Sequence, residues 1–327
     1  MKPAGDAVGG ADSTADSAGA DSAGDSTADS AGADSAAVMH DEIASQPSCW
    51  LRAAEAAEAA AAVLPRPGEA VAFSGCGSSW HMATAAAAVR EGSGGGRSDA
   101  FCASEALDTR DYDLLVAVTR TGTTTEVVRL LEGWQGRGRK VVVSTTPSSP
   151  AVDAADEAVI IDFADDAGVV QTRSATTAFV LIWAAAGGDV PGAASAGEIA
   201  LTSALPPGLH VARRHVFLGT GWAYGIAEEA ALKLREAAGA WAEAYPAMEY
   251  RHGPASAVAA ETLVWAVGTL PDGLEEFVRT TGAGLVGSLG HPLADLVLAQ
   301  RAAVDLASAA GLDPAHPAHL GRSVILD

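Results

Sequence analysis

The chain has 327 residues, of which 49% are hydrophobic and only 5% aromatic, with a formal net charge of -21. That length accommodates two ordinary domains whose cores are built from small aliphatic side chains. The charge excludes a phosphate-neutralising nucleic-acid surface and an anionic membrane surface as partners. A small anion can still be held by local N–H groups and hydroxyls.

Cys49, Cys76 and Cys102 show neither metal-ligand spacing nor an even disulfide framework, which points to a reducing cytoplasm without metal or cofactor. The N-terminus lacks the apolar centre of a signal peptide, and no apolar run is long enough to span a bilayer.

Residues 1–38 are a tract of Ala, Asp, Ser, Gly and Thr with almost no large apolar side chain. Such a tract cannot bury enough surface to offset chain entropy, so a disordered tail is expected. Trp50 to Leu64 reads as an Ala-rich helix stopped by Pro65 and Pro67. Strands are expected at Val71–Ser74, Leu114–Val118, Lys140–Ser144 and Val159–Asp162. Helices are expected between and after them, at Ser78–Arg90, Thr125–Trp134, Ala151–Asp156 and Ser174–Ala186. Continuous apolar strands between helices imply a parallel sheet covered on both faces.

Gly187–Gly197 reads as a linker into a short helix near Ile199. The pattern then restarts. FSGCGSSW, from Phe73, is echoed by FLGTGWAY, from Phe217, and Leu114–Val118 by Leu263–Val267. The expected fold is α/β, with two tandem doubly wound, flavodoxin-like parallel-sheet units at 39–195 and 196–327. The second unit, ending in a helix near Ala294–Ala309, is expected to have one late strand shortened or lost.

Two turns rich in Gly, Ser and Thr follow strands of the first unit. One holds Gly77, Ser78 and Ser79; the other holds Thr119, Arg120, Thr121 and Thr124. Hydroxyls and helix N-terminal N–H groups converging at strand ends make an anion site. For either turn alone helix capping is the favoured reading; two in one unit, one of them with four Thr and an Arg, favour an anion. Val169-Val170-Gln171-Thr172-Arg173-Ser174 is a third polar loop, which a helix start also explains.

In the second unit a helix from about Ala223 to Ala238 aligns Glu229, Lys233 and Glu236 at i, i+4 and i+7. Most such stripes are solvated faces with weak ion pairs. A compact polar segment, Met248-Glu249-Tyr250-Arg251-His252-Gly253-Pro254, follows.

The whole string Gly221–Pro254, GWAYGIAEEAALKLREAAGAWAEAYPAMEYRHGP, resembles the second half of the sugar isomerase (SIS) fold. It is similar to the isomerase domain of glucosamine-6-phosphate synthase and to stand-alone sugar-phosphate isomerases and deaminases. MHDEIASQP, from Met39, also resembles the family's usual opening, which leaves Met39 as a candidate start.

The resemblance implies that Gly77, Ser78, Ser79, Thr119, Thr121 and Thr124 clamp a sugar phosphate, and that Val170 and Thr172 contact the sugar. Arg120 stands where the synthases usually carry Gln and would add a cation to the clamp. Glu236 is implied as the base of aldose–ketose isomerisation and His252 as the ring-opening group, reaching a neighbouring subunit's site in a homodimer. Glu229 and Lys233 would orient the base or hold sugar hydroxyls. Arg322 stands where the synthases carry a tail lysine, and a guanidinium forms no imine at neutral pH.

The first 38 residues offer no N-terminal Cys nucleophile, so glutamine-dependent amidotransfer is not expected. The resulting expectation is a hexose or amino-sugar 6-phosphate isomerase, with or without deamination. The alternative is a non-catalytic sugar-phosphate sensor.

Overall fold

A computed structural model describes residues 25–106, 110–134 and 138–326. The long helix α1 (Asp25–Ala59) precedes the first sheet unit, which comprises β1 (Val71–Gly75), α2 (Ser78–Gly92), β2 (Ser98–Cys102), β3 (Leu114–Thr119), α3 (Thr125–Gly133), β4 (Arg139–Ser144), α4 (Pro150–Ala154), β5 (Glu157–Ile160) and α5 (Arg173–Ala185). Helix α6 (Val190–Thr202) leads to the second, with β6 (Arg214–Gly219), α7 (Trp222–Ala238), β7 (Ala242–Pro246), β8 (Thr262–Val267), α8 (Leu274–Thr280), β9 (Gly284–Val286) and α9 (Pro292–Ala309). No described helix is long and apolar enough to cross a membrane.

Both sheets are parallel. Their strand orders are β2-β1-β3-β4-β5 and β7-β6-β8-β9. The first is the flavodoxin-like order, and the second repeats it without a fifth strand. The late part of the second unit is short, since β9 has three residues. The repeat is also visible in backbone geometry. Gly77 (φ 55, ψ -128) and Gly221 (φ 59, ψ -128) bridge the first strand and helix of their units in the same conformation. Side chains with a Cβ rarely adopt it.

Strand faces alternate as a covered sheet requires. Val71, Phe73, Leu114, Val116 and Val118 enter a central core shared with α1, α2, α5, α7 and α9 and with Phe217 and Trp265 of the second sheet. Ala72, Leu115 and Ala117 face an outer layer that includes Val127 and Leu131 of α3. The two units meet closely where α2 crosses α7. A Cβ on Gly225 would sit 2.7 Å from both Ala85 N and His81 O.

Several expectations change. Residues 25–38, assigned to the tail, belong to α1; residues 1–24 lie outside the described residues. Met39 and Ile43 are fully buried in the central core, so docking rather than local composition dictates the helix. The expected helix reaching Leu64 ends at Ala59. The expected linker at Gly187–Gly197 is largely α6, capped by Asp189, whose side chain accepts from Gly192 N at 3.0 Å. The edge strands β2 and β7, with mixed burial and no continuous apolar run, escaped the sequence reading.

Candidate active site

The Glu229–Lys233–Glu236 stripe is not a solvated face. Glu229 and Lys233 have no exposed side-chain surface. Lys233 Nζ donates to Glu236 Oε2 (2.6 Å), Ser78 Oγ (2.9 Å) and Gln171 O (2.9 Å), and lies 3.2 Å from Glu229 Oε1. Two of those contacts belong to the first unit. The ammonium therefore pins the second unit's helix to the turn after β1 and to the loop before α5.

Burial pushes the Glu229 carboxyl up to about 7, with Lys233 opposing and Glu236 reinforcing the shift. Burial also works against the Lys233 charge, but Glu229 and Glu236 outweigh it and hold the ammonium above its usual range. Glu236 keeps 20% side-chain exposure, so one carboxyl is sealed and the other opens outward.

The two expected anion turns lie beside this cluster. Helix capping does not account for their hydroxyls. Gly77 and Thr124 are the cap residues of α2 and α3, and neither cap makes a side-chain hydrogen bond. Thr119 Oγ1 accepts from Gly122 N (3.3 Å), and Thr121 Oγ1 from Thr123 N (3.3 Å) and Thr123 Oγ1 (2.9 Å). Ser79 is buried at the first turn of α2.

Ser79, Thr119, Arg120 and Gln171 line two adjoining cavities of about 10 and 20 Å³. Thr121, Thr124, Cys76 and Arg322 complete the second. Burial pushes the Cys76 thiol up to about 11, with Glu126 adding to the shift, so it stands there as a neutral thiol.

A family model described as SIS domain matches residues 67–187 and 208–279. The chain belongs to the SIS domain family. It is 29% identical over 181 residues to a glutamine–fructose-6-phosphate aminotransferase (isomerizing) of Aeropyrum pernix, covering 48% of this chain and 29% of that one. The Xylella fastidiosa enzyme of that name is 28% identical over 269 residues, covering 65% and 44%. The chain thus spans less than half the length of these two relatives.

Among solved structures, glucosamine-6-phosphate deaminase from Thermotoga maritima has a TM-score of 0.75 at 24% identity, covering 88% of this chain and 100% of that one. Tagatose-6-phosphate ketose/aldose isomerase from Escherichia coli scores 0.74 at 19% identity, covering 88% and 96%. At these identities the likeness is one of fold.

Within this SIS fold, not every expected residue reaches the cluster. Val170 is in the central core, and Thr172 is sealed with its hydroxyl on Asp166 Oδ1 at 2.9 Å. Asp166 also accepts from Arg173 N and Ser174 N and so holds the start of α5, which claims the threonine. The loop residue that faces the site is Gln171, flagged in the sequence only by its polar surroundings.

His252 is exposed at the end of the 3-10 turn Glu249–His252, whose Tyr250 is buried, and makes no hydrogen bond or ion pair with the Lys233 cluster. Arg322 bonds Asp165 Oδ2 (2.6 Å) and Ala167 O (2.9 Å). Arg120 binds protein carbonyls through both Nη atoms. Larger cavities, of about 290 and 420 Å³, lie elsewhere, beside Arg90 and Ile182 and beside Glu126 and Leu130.

Proposed function

We propose that the chain is a sugar-phosphate aldose–ketose isomerase acting on a hexose or amino-sugar 6-phosphate, with or without release of ammonia. The observation that carries this reading is the bond from Lys233 Nζ to Ser78 Oγ, which joins the carboxyl pair to the hydroxyl-rich turns. A phosphate held by Ser79, Thr119, Thr121 and Thr124 would lay the sugar towards Glu236, the exposed carboxyl of the pair.

Glu236 would take the proton from C2 of the aldose and return it to C1, while the proton on the C2 hydroxyl, or on the amine of an amino sugar, passes to O1, by way of an enediol or enolamine. Lys233 would fix Glu236 in place and stabilise charge on the sugar oxygens. Glu229, sealed behind the lysine, sets its position. His252 is exposed on its turn, which suits service in the site of a second copy within a homodimer.

The test is to incubate the purified chain with glucosamine 6-phosphate and glucose 6-phosphate in deuterated water. The expected result is ketose phosphate and deuterium at the proton-transfer carbon, with Glu236→Gln abolishing both. Absence of exchange with every ester, alongside tight binding of one that survives Glu236→Gln, would assign the chain as a sensor instead.

A further inference from the structure

We propose that the second unit keeps an oxyanion place at the carboxyl ends of its strands, and that Asp295 of α9 fills it as a resident carboxylate. The two units are built alike there. The chain reverses its winding between β1 and β3 in the first sheet and between β6 and β8 in the second. Ligands of such sheets sit outside the strand ends at that point. Gly77 and Gly221 open it with the same backbone conformation.

The side chains have diverged. Where FSGCGSSW is echoed by FLGTGWAY, Trp222 stands for Ser78 and Ala223 for Ser79. Gly268, the residue after β8, stands for Thr119. Each replacement removes a hydroxyl. Trp222 stacks instead on Phe179 and Trp183, with ring centroids 5.5 and 5.7 Å away. A Cβ on Gly268 would lie 3.7 Å from Ala223 Cβ and 3.1 Å from Pro292 Cγ, so the turn after β8 meets the starts of α7 and α9.

Asp295 reaches the donors that remain. It is only 5% exposed. Oδ2 accepts from Gly268 N (2.8 Å) and Ser288 Oγ (2.7 Å), and Oδ1 from Leu289 N (2.6 Å). Gly268 follows β8, and Ser288 and Leu289 follow its neighbour β9, so every donor comes from the carboxyl end of a strand. Backbone N–H groups with a hydroxyl are the donor set that holds a small oxyanion, and their bonds to a charged acceptor are the strong ones. Asp295 also lies in the first turn of α9, where the helix dipole favours negative charge. The carboxylate satisfies the strand ends of the second unit as a bound ester would satisfy those of the first. The comparison with an ester rests on the sugar-phosphate reading above; the occupancy by Asp295 does not.

Asp295→Gly removes the carboxylate and should uncover the place. Urea unfolding followed by circular dichroism is read with formate, with inorganic phosphate, and with formamide as the neutral isostere of formate. The variant is expected to be less stable than the wild type. Formate at ten times its dissociation constant should raise the variant's folding constant about tenfold and leave that of the wild type unchanged. Formamide should do neither. If the glycine variant does not fold, Asp295→Ser is read in the same way.

Formate that stabilises the variant no more than the wild type, or formamide that matches formate, overturns the proposal. Phosphate reports on the first unit as well. Equal stabilisation of wild type and variant by phosphate belongs to the turns after β1 and β3, and Asp295 is then judged by formate. Formate rescue of the variant, with no effect of phosphate on either protein, sustains the resident carboxylate and removes the phosphate clamp.

Discussion

Replacing Lys233 by Met tests whether the buried ion cluster organises the site. The substitution conserves volume but leaves Glu229, which has no exposed side-chain surface, without its ammonium at 3.2 Å. Removing one partner of a buried pair costs about 3–5 kcal/mol, because the stranded charge is no longer compensated.

The sign with pH follows from Glu229. Its folded pKa already stands above the unfolded value, raised first by burial, and loss of the opposing lysine raises it further. A group raised in this way favours the folded state fully below its unfolded pKa and loses that contribution as pH rises through the folded one. The Lys233→Met protein should therefore be destabilised by about 3–5 kcal/mol at pH 8 and by much less at pH 5. Glu229→Gln in the same protein should recover most of the loss at pH 8, since a neutral amide replaces the stranded charge. Urea unfolding followed by circular dichroism at both pH values measures this. A loss under about 1 kcal/mol that is independent of pH would mean that the stripe behaves as a solvated surface, and would refute the reasoning.

Ser78 and Ser79 are neighbours in different surroundings, Ser78 bonded to Lys233 and Ser79 lining the small cavities. Ser78→Ala, which removes an acceptor of Lys233, should lower kcat about tenfold or more with little change in KM, whereas Ser79→Ala should chiefly raise KM; steady-state kinetics separates them. Gly225→Ala places a methyl against backbone atoms of α2 and should cost about 1–3 kcal/mol, read as a lowered melting temperature. Acid should destabilise the fold through His215, held down to about 4 by burial. Between that value and 6.5 the unfolded chain binds a proton that the folded imidazole refuses. The His215 contribution to stability therefore falls by about 2 kcal/mol from pH 7.5 to pH 5, and His215→Gln should remove that share of the slope in urea titrations.

Period and turn chemistry made the order of strands and helices legible, because apolar strands such as Leu114–Thr119 are buried along their whole length. They could not reveal β2 and β7. An edge strand has one covered side, and the partner that makes SDAFC or AEAYP a strand is a distant segment. Nor could they reveal α1 starting at Asp25. Even its well-buried part passes through Pro47, and it is held by tertiary burial of Met39 and Ile43. The Glu229–Lys233–Glu236 spacing was plain. Whether it was buried depended on Ser78 and Gln171, which local periodicity does not connect to α7.

The same limit explains which site residues changed role. Ser78, Arg120 and Thr172 all carry donors suited to an ester phosphate, and residue type stops there. The fold commits Ser78 to Lys233, Arg120 to three carbonyls and Thr172 to Asp166. Each commitment ties together segments that close on the cavity: α2 to α7, the turn after β3 to the tail, and the loop before α5 to its own helix. Ser79, Thr119, Thr121 and Thr124 are left facing the cavities with hydroxyls that no helix cap uses. A site built this way divides its polar side chains between those that can hold a ligand and those that hold the holders. Substitutions in the second group should then alter rate more than initial binding.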